Sequence, residues 1–124
     1  MTKRGTILLV DDDQAVTDYL QLKLSKDYEV LVTNKPTAVL EMARQVQPDL
    51  VLCDIDMPGM DGGDVCRALS SDEQTRHIPF AYLTSMVSQE DVQALKGQIG
   101  GRPGVSKHAP ITEILARIHT VMNG

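Results

Sequence analysis

Cysteine is scarce in this chain: two residues, Cys53 and Cys66, among 124. A disulfide framework needs a secreted context that nothing else in the sequence supplies. Both are therefore expected to be small, buried, reduced side chains, one ending a buried strand and one on a helix. Long apolar runs are also missing. None approaches the length of a membrane span. The first apolar run, Ile7–Val10, ends at three aspartates, which is not how a secretory leader reads. Basic excess is absent too. The formal net charge is -5 and the isoelectric point is near 5.0, which argues against nucleic acid or an anionic membrane as direct partner. The expectation is a soluble, cytoplasmic protein. No internal repeat, linker or low-complexity tract interrupts it.

What is present suits one domain spanning residues 1–124. Hydrophobic residues make up 42% of the chain, enough for a single core, and charged residues 23%, which argues against wholesale disorder. Thr6–Val10 is a continuous apolar run, the mark of a strand buried on both faces. Asp13 is placed to cap a helix over Gln14–Ser25, with Val16, Tyr19, Leu20 and Leu24 at helical spacing. Tyr28–Thr33 reads as a second strand, and Pro36 opens a second helix with Val39, Met42, Ala43 and Val46 on one face. Leu50–Cys53 is a third strand, 54–63 a loop, and Val65, Ala68 and Leu69 mark a third helix. Pro79–Leu83 is a fourth strand, and Ser88 is placed to cap a fourth helix. Glycines and Pro103 break the periodicity of 97–104, leaving a short fifth strand near Val105–Ser106. The last helix opens at Pro110, with Ile111, Ile114, Leu115, Ile118 and Val121 recurring at three and four residues. Five strand–helix units in alternation predict an α/β fold, a doubly wound five-stranded parallel sheet covered on both faces.

In open sheets of this kind the site lies at the carboxyl ends of the strands. Asp11 and Asp12 follow the first strand, Asp54 the third, Thr84 and Ser85 the fourth, and Lys107 the fifth. Clustered carboxylates repel one another unless a cation is present, and a hard divalent ion with oxygen ligands relieves that repulsion. A carboxylate can also accept a phosphoryl group, a transfer that needs mainly positioning and charge neutralisation. The Thr84 hydroxyl is able to donate to a phosphoryl oxygen. Taken singly, each residue has a plainer explanation. An aspartate after a strand is often a helix cap, which is the reading preferred for Asp13. A threonine at a strand end is usually structural, and a lone lysine is usually solvated. What favours a functional role is their coincidence at one edge of the sheet, in four different units.

The runs ILLVDDD (7–13), DLVLCDIDMPGMDG (49–62) and IPFAYLTS (78–85), followed by Lys107, resemble the response-regulator receiver domain over nearly the whole chain. The resemblance implies a flavodoxin-like three-layer sandwich and a phosphorylation-dependent switch. Asp54 looks like the phosphoacceptor and Asp12 like a direct ligand of Mg²⁺, with Asp11 assisting directly or through water. Asp54 and the backbone carbonyl of Asp56 complete the implied metal set. Thr84 resembles the switch hydroxyl, Ser85 the small residue beside it, and Lys107 the cation that pairs with the phosphoryl group. The implied donor is a phosphohistidine on a histidine kinase or phosphotransfer protein. The implied readout is an output partner or attached domain, with a homodimer as one form. Such residues catalyse only their own phosphorylation and its loss, so no turnover enzyme is implied. An acidic Asp56 side chain near the acyl phosphate is expected to influence its lifetime.

The sequence departs from the pattern in one region. The family usually follows its lysine with proline, whereas His108 and Ala109 stand between Lys107 and Pro110, so no cis bond is expected there. The family's aromatic is missing at both Gly104 and Val105. His108 reads as a surface residue, and His77 and His119 have no ligand spacing with it. Two alternatives stay open. One is a degenerate receiver that docks partners without phosphorylation. The other is a phosphohydrolase, because Asp54-Ile55-Asp56 resembles the DxD motif of haloacid-dehalogenase-like enzymes.

Overall fold

A computed structural model describes residues 3–85, 98–99 and 101–123. The middle of its sheet is built from strands that are almost wholly apolar. The strands are β1 (Thr6–Val10), β2 (Glu29–Thr33), β3 (Leu50–Asp54), β4 (Phe80–Thr84), β5 (Gln98–Ile99) and β6 (Arg102–Ser106). All five residues of β3 and all five of β4 are buried, as a strand covered on both faces requires. Five strands run parallel in the order β2-β1-β3-β4-β6, and the two-residue β5 pairs antiparallel along the outer edge of β6.

Alternation along the strands divides the core into two layers. Ile7, Leu9, Leu52, Leu83 and Val105 point to one face, where they meet Leu20 and Leu24 of α1 (Gln14–Leu24) and Ile114 and Ile118 of α4 (Ile111–Asn123). Leu8, Val10, Val51, Cys53, Phe80 and Tyr82 point to the other, against Val39 and Ala43 of α2 (Val39–Val46) and Val65 and Leu69 of α3 (Gly62–Ser70). The doubly wound, three-layer α/β prediction is therefore the observed fold. The chain winds outward from β1 to β2, then returns to place β3 on the other side of β1. In open sheets a ligand site is expected at the carboxyl ends of the strands beside such a switch point.

Local departures from the expected elements have simple causes. Tyr19 lies 47% exposed, with the Lys23 ammonium over its ring at 5.8 Å, and Thr17 takes the buried position on α1. A short 3-10 turn, Pro36–Ala38, precedes α2. β6 is longer than the predicted fragment because Arg102 and Pro103 pair with β5, while Gly104–Ser106 pair with β4. Among the glycines that break the periodicity, Gly101 precedes β6 at φ +84°, a conformation that glycine adopts without steric cost, and Gly104 lies within β6 itself. The helix expected from Ser88 lies outside the described residues. Among the described residues no peptide bond is cis, and no helix is long and apolar enough to cross a membrane.

Candidate functional site

The site is built at the carboxyl ends of β1, β3, β4 and β6. Asp11, the first residue after β1, is completely buried, and its Oδ1 accepts from the Asp13 amide at 2.9 Å. Asp13 in turn caps α1, accepting from the Ala15 amide at 2.9 Å, as the sequence suggested. This chain of short bonds turns the backbone sharply and leaves the Asp12 side chain exposed beside Asp11. Asp54 is the last residue of β3, paired with Leu83, and only 5% exposed. Carboxylate oxygens of Asp11, Asp12 and Asp54 lie within 4.8 Å of one another.

Lys107 reaches into this cluster from beyond β6. Its amide donates to the Thr84 carbonyl at 2.9 Å, which extends the β4–β6 ladder by one bond and aims the side chain inward. Its Nζ lies 2.8 Å from Asp11 Oδ2 and 2.9 Å from Asp54 Oδ1. The His108-Ala109 departure therefore leaves the lysine in place. Thr84 is buried at the end of β4, and Ser85 next to it is exposed. The Asp56 carboxylate is exposed and stands outside the cluster of three. Cys53 and Cys66 form no disulfide; Cys53 is buried as expected, whereas Cys66 on α3 is only half-buried, and burial pushes the Cys53 thiol far above its ordinary range, so it stays protonated.

Three carboxylates face one ammonium, and the electrostatics follow. Burial raises the pKa of Asp54, Lys107 pulls it back, and Asp11 and Asp12 push it up again; the net direction is upward. Burial alone depresses Lys107, but the Asp11 and Asp54 carboxylates outweigh it and the lysine is held charged. One observation bears on a metal ion. Asp11 Oδ2 is buried and receives no aligned hydrogen bond, the Lys107 ammonium being an ionic partner only. A buried anionic oxygen with spare lone pairs, beside two further carboxylates, is a donor set suited to a hard divalent cation.

Residues 7–119 match the response regulator receiver domain. The chain belongs to this family. The response regulator PleD of Caulobacter vibrioides is similar: 37% identity over 118 residues, covering 93% of this chain and 25% of that protein. The DNA-binding response regulator MtrA of Mycobacterium bovis is 35% identical over 94% of this chain and 50% of its own length. The chain thus spans half or less of the length of these relatives. Among solved structures, the BeF3-activated N-terminal receiver domain of RstA from Klebsiella pneumoniae superposes with a TM-score of 0.77 at 32% identity, covering 96% of this chain and 99% of that one. Receiver domains act as phosphorylation-dependent switches of two-component systems rather than as turnover enzymes, and they bind Mg²⁺ at an acidic pocket.

Two residues that support this receiver's acidic loop escaped the sequence argument. Asn34 follows β2, and its side-chain amide donates to the Asp11 carbonyl at 2.8 Å and to Thr17 Oγ1 at 3.3 Å. The signal was available. The strand-end rule applied to β1, β3, β4 and β6 applies equally to β2, whose end carries Asn34. Thr17 gave no such signal: it stands three and seven residues before the buried Leu20 and Leu24, but Tyr19 fits a helical stripe too.

Proposed function

We propose that this chain is a receiver switch in which Asp54 takes a phosphoryl group from a phosphohistidine on a histidine kinase or phosphotransfer protein, with Mg²⁺ bound. The observation that carries the reading is the placement of Asp54: buried at the end of β3, in reach of Asp11 and Asp12, and held by Lys107 at 2.9 Å. Lys107 engages Oδ1, which leaves Oδ2 for the attack. The phosphorus–oxygen bond forms there as the phosphorus–nitrogen bond of the donor breaks, and the departing imidazole leaves with the bonding pair and takes a proton from water. Asp11, Asp12 and Asp54 would hold Mg²⁺, together with the Asp56 main-chain carbonyl, and the ion supplies positive charge against the phosphoryl oxygens. Lys107 then pairs with the new phosphoryl group, and the Thr84 hydroxyl turns to donate to it. The state change is read by an output partner or an attached domain, or by a second copy of the chain. In this reading residues 1–124 form one cytoplasmic domain, and its acidic surface leaves any nucleic-acid contact to another domain.

The alternatives have less behind them. The docking reading rested on the altered segment after Lys107, yet Lys107 reaches both carboxylates. The DxD spelling of Asp54 and Asp56 follows β3, whereas in haloacid-dehalogenase-like enzymes it usually follows the first strand. The test is intact mass after incubation with Mg²⁺ and a small-molecule phosphodonor. The expected result is one added phosphoryl group, lost in Asp54→Ala and in EDTA. An unmodified wild type, under conditions that label a known receiver, would return the docking reading. Continuous turnover of a phosphomonoester would favour the hydrolase.

A further inference from the structure

We propose that Asn34, with Thr17, is a positioning residue for divalent-ion binding: a clamp that holds the Asp11–Asp12 loop in its binding shape before the ion arrives. The proposal rests on the metal-dependent receiver reading above and assigns a role within it. Among the three clustered carboxylates, two are restrained by Lys107, which contacts Asp11 and Asp54. Asp12 is exposed, and repulsion from its two neighbours drives it outward. Its position in the cluster therefore depends on the backbone that carries it.

That backbone is tied from both sides. The Asp11 amide makes only a long bond to the Thr33 carbonyl, at 3.3 Å. The Asp11 carbonyl accepts instead from the Asn34 side chain at 2.8 Å. The second hydrogen of the same amide goes to Thr17 Oγ1 at 3.3 Å, and the Thr17 hydroxyl donates to the Gln14 carbonyl at 3.0 Å. Thr17 is completely buried, so its hydroxyl is a fixed post. One primary amide thus bridges the residue before Asp12 and the first turn of the helix after it. Two hydrogens of one group are used on two acceptors, a geometry that a hydroxyl or a carboxylate at position 34 does not supply. Outer groups that orient metal ligands matter in this way because the ligands otherwise rearrange at the moment of binding.

The test is calorimetric titration of Mg²⁺ into wild type, Asn34→Ala, Thr17→Val and Thr17→Ser, each checked for folding by circular dichroism in EDTA. Asn34→Ala is expected to bind Mg²⁺ about tenfold more weakly than wild type. Thr17→Val is expected to fall between the two, and Thr17→Ser, which restores the hydroxyl, to return to wild-type affinity. A role in stability alone would lower the melting temperature and leave the affinity of the folded protein unchanged. Wild-type affinity in a folded Asn34→Ala overturns the proposal. If that variant does not fold, equal affinities for Thr17→Val and Thr17→Ser overturn it. Wild type that binds no Mg²⁺ and accepts no phosphoryl group is a different outcome: it removes the receiver chemistry itself, and the clamp with it.

Discussion

At the scale of single residues, Asp54 carries a stability cost. Burial, then the neighbouring Asp11 and Asp12, raise its pKa despite Lys107. A carboxyl whose folded pKa lies above its unfolded value adds stability below the unfolded pKa and loses it as pH rises through the folded one. At neutral pH without metal the ionised Asp54 therefore works against the fold. Asp54→Asn keeps the shape and removes the charge. In EDTA at pH 7 it is expected to melt at a higher temperature than wild type, and the gap should narrow as pH falls toward the carboxylate range. A variant that melts at or below wild type at pH 7 would contradict this account.

At the scale of elements, the junction between β3 and α3 holds the end of β3 in place. Asp61 caps α3 by accepting from the Asp64 amide at 2.9 Å, and the Asp64 carboxylate reciprocates to the Asp61 amide at 3.1 Å. The next residue, Gly62, lies against the end of β3. Its amide donates to the Ile55 carbonyl at 2.8 Å, and a Cβ there would stand 2.4 Å from the Asp54 carbonyl oxygen. Both of the atoms it would meet first belong to the backbone, so the clash is not relieved by a side-chain rotation. Gly62→Ala is expected to cost about 2 kcal/mol by overpacking. Asp61→Ala, which loses a cap alone, should cost about 1 kcal/mol. Urea unfolding of both measures the order, and a Gly62→Ala as stable as wild type would show that the junction yields.

At the scale of the whole molecule, the acidic edge couples ligand binding to global stability. An ion that binds the folded chain and not the unfolded one stabilises by mass action, about 2.7 kcal/mol at a hundredfold excess over its dissociation constant. Mg²⁺ is therefore expected to raise the melting temperature of wild type by several degrees. Asp12→Asn should abolish most of that rise, because Asp12 is the carboxylate of the three that Lys107 does not contact. A thermal scan with and without Mg²⁺ decides it; an equal rise in both proteins would place the ion elsewhere.

Much of this was written in the sequence because parallel strands covered on both faces need an apolar residue at every position. Ile7–Val10, Leu50–Cys53 and Phe80–Leu83 declare themselves as strands for that reason, and the polar residues ending them declare the site. Asp11, Asp12, Asp54, Thr84 and Lys107 were assigned to one edge on that ground alone, and the structure brings Asp11, Asp12, Asp54 and Lys107 into one cluster. Local periodicity does not report which neighbour a side chain meets. Nothing in the spacing of α1 told Tyr19 from Thr17, since both fit a helical stripe and only the packing of α1 on the sheet buries one of them. Gly101 and Pro103 read as breakers because pairing with a second strand is a non-local fact, and the β5–β6 hairpin supplies it. The Asn34 bridge to Asp11 and Thr17 joins three segments separated along the chain, and only the placement of β2 beside β1 brings them within hydrogen-bonding distance.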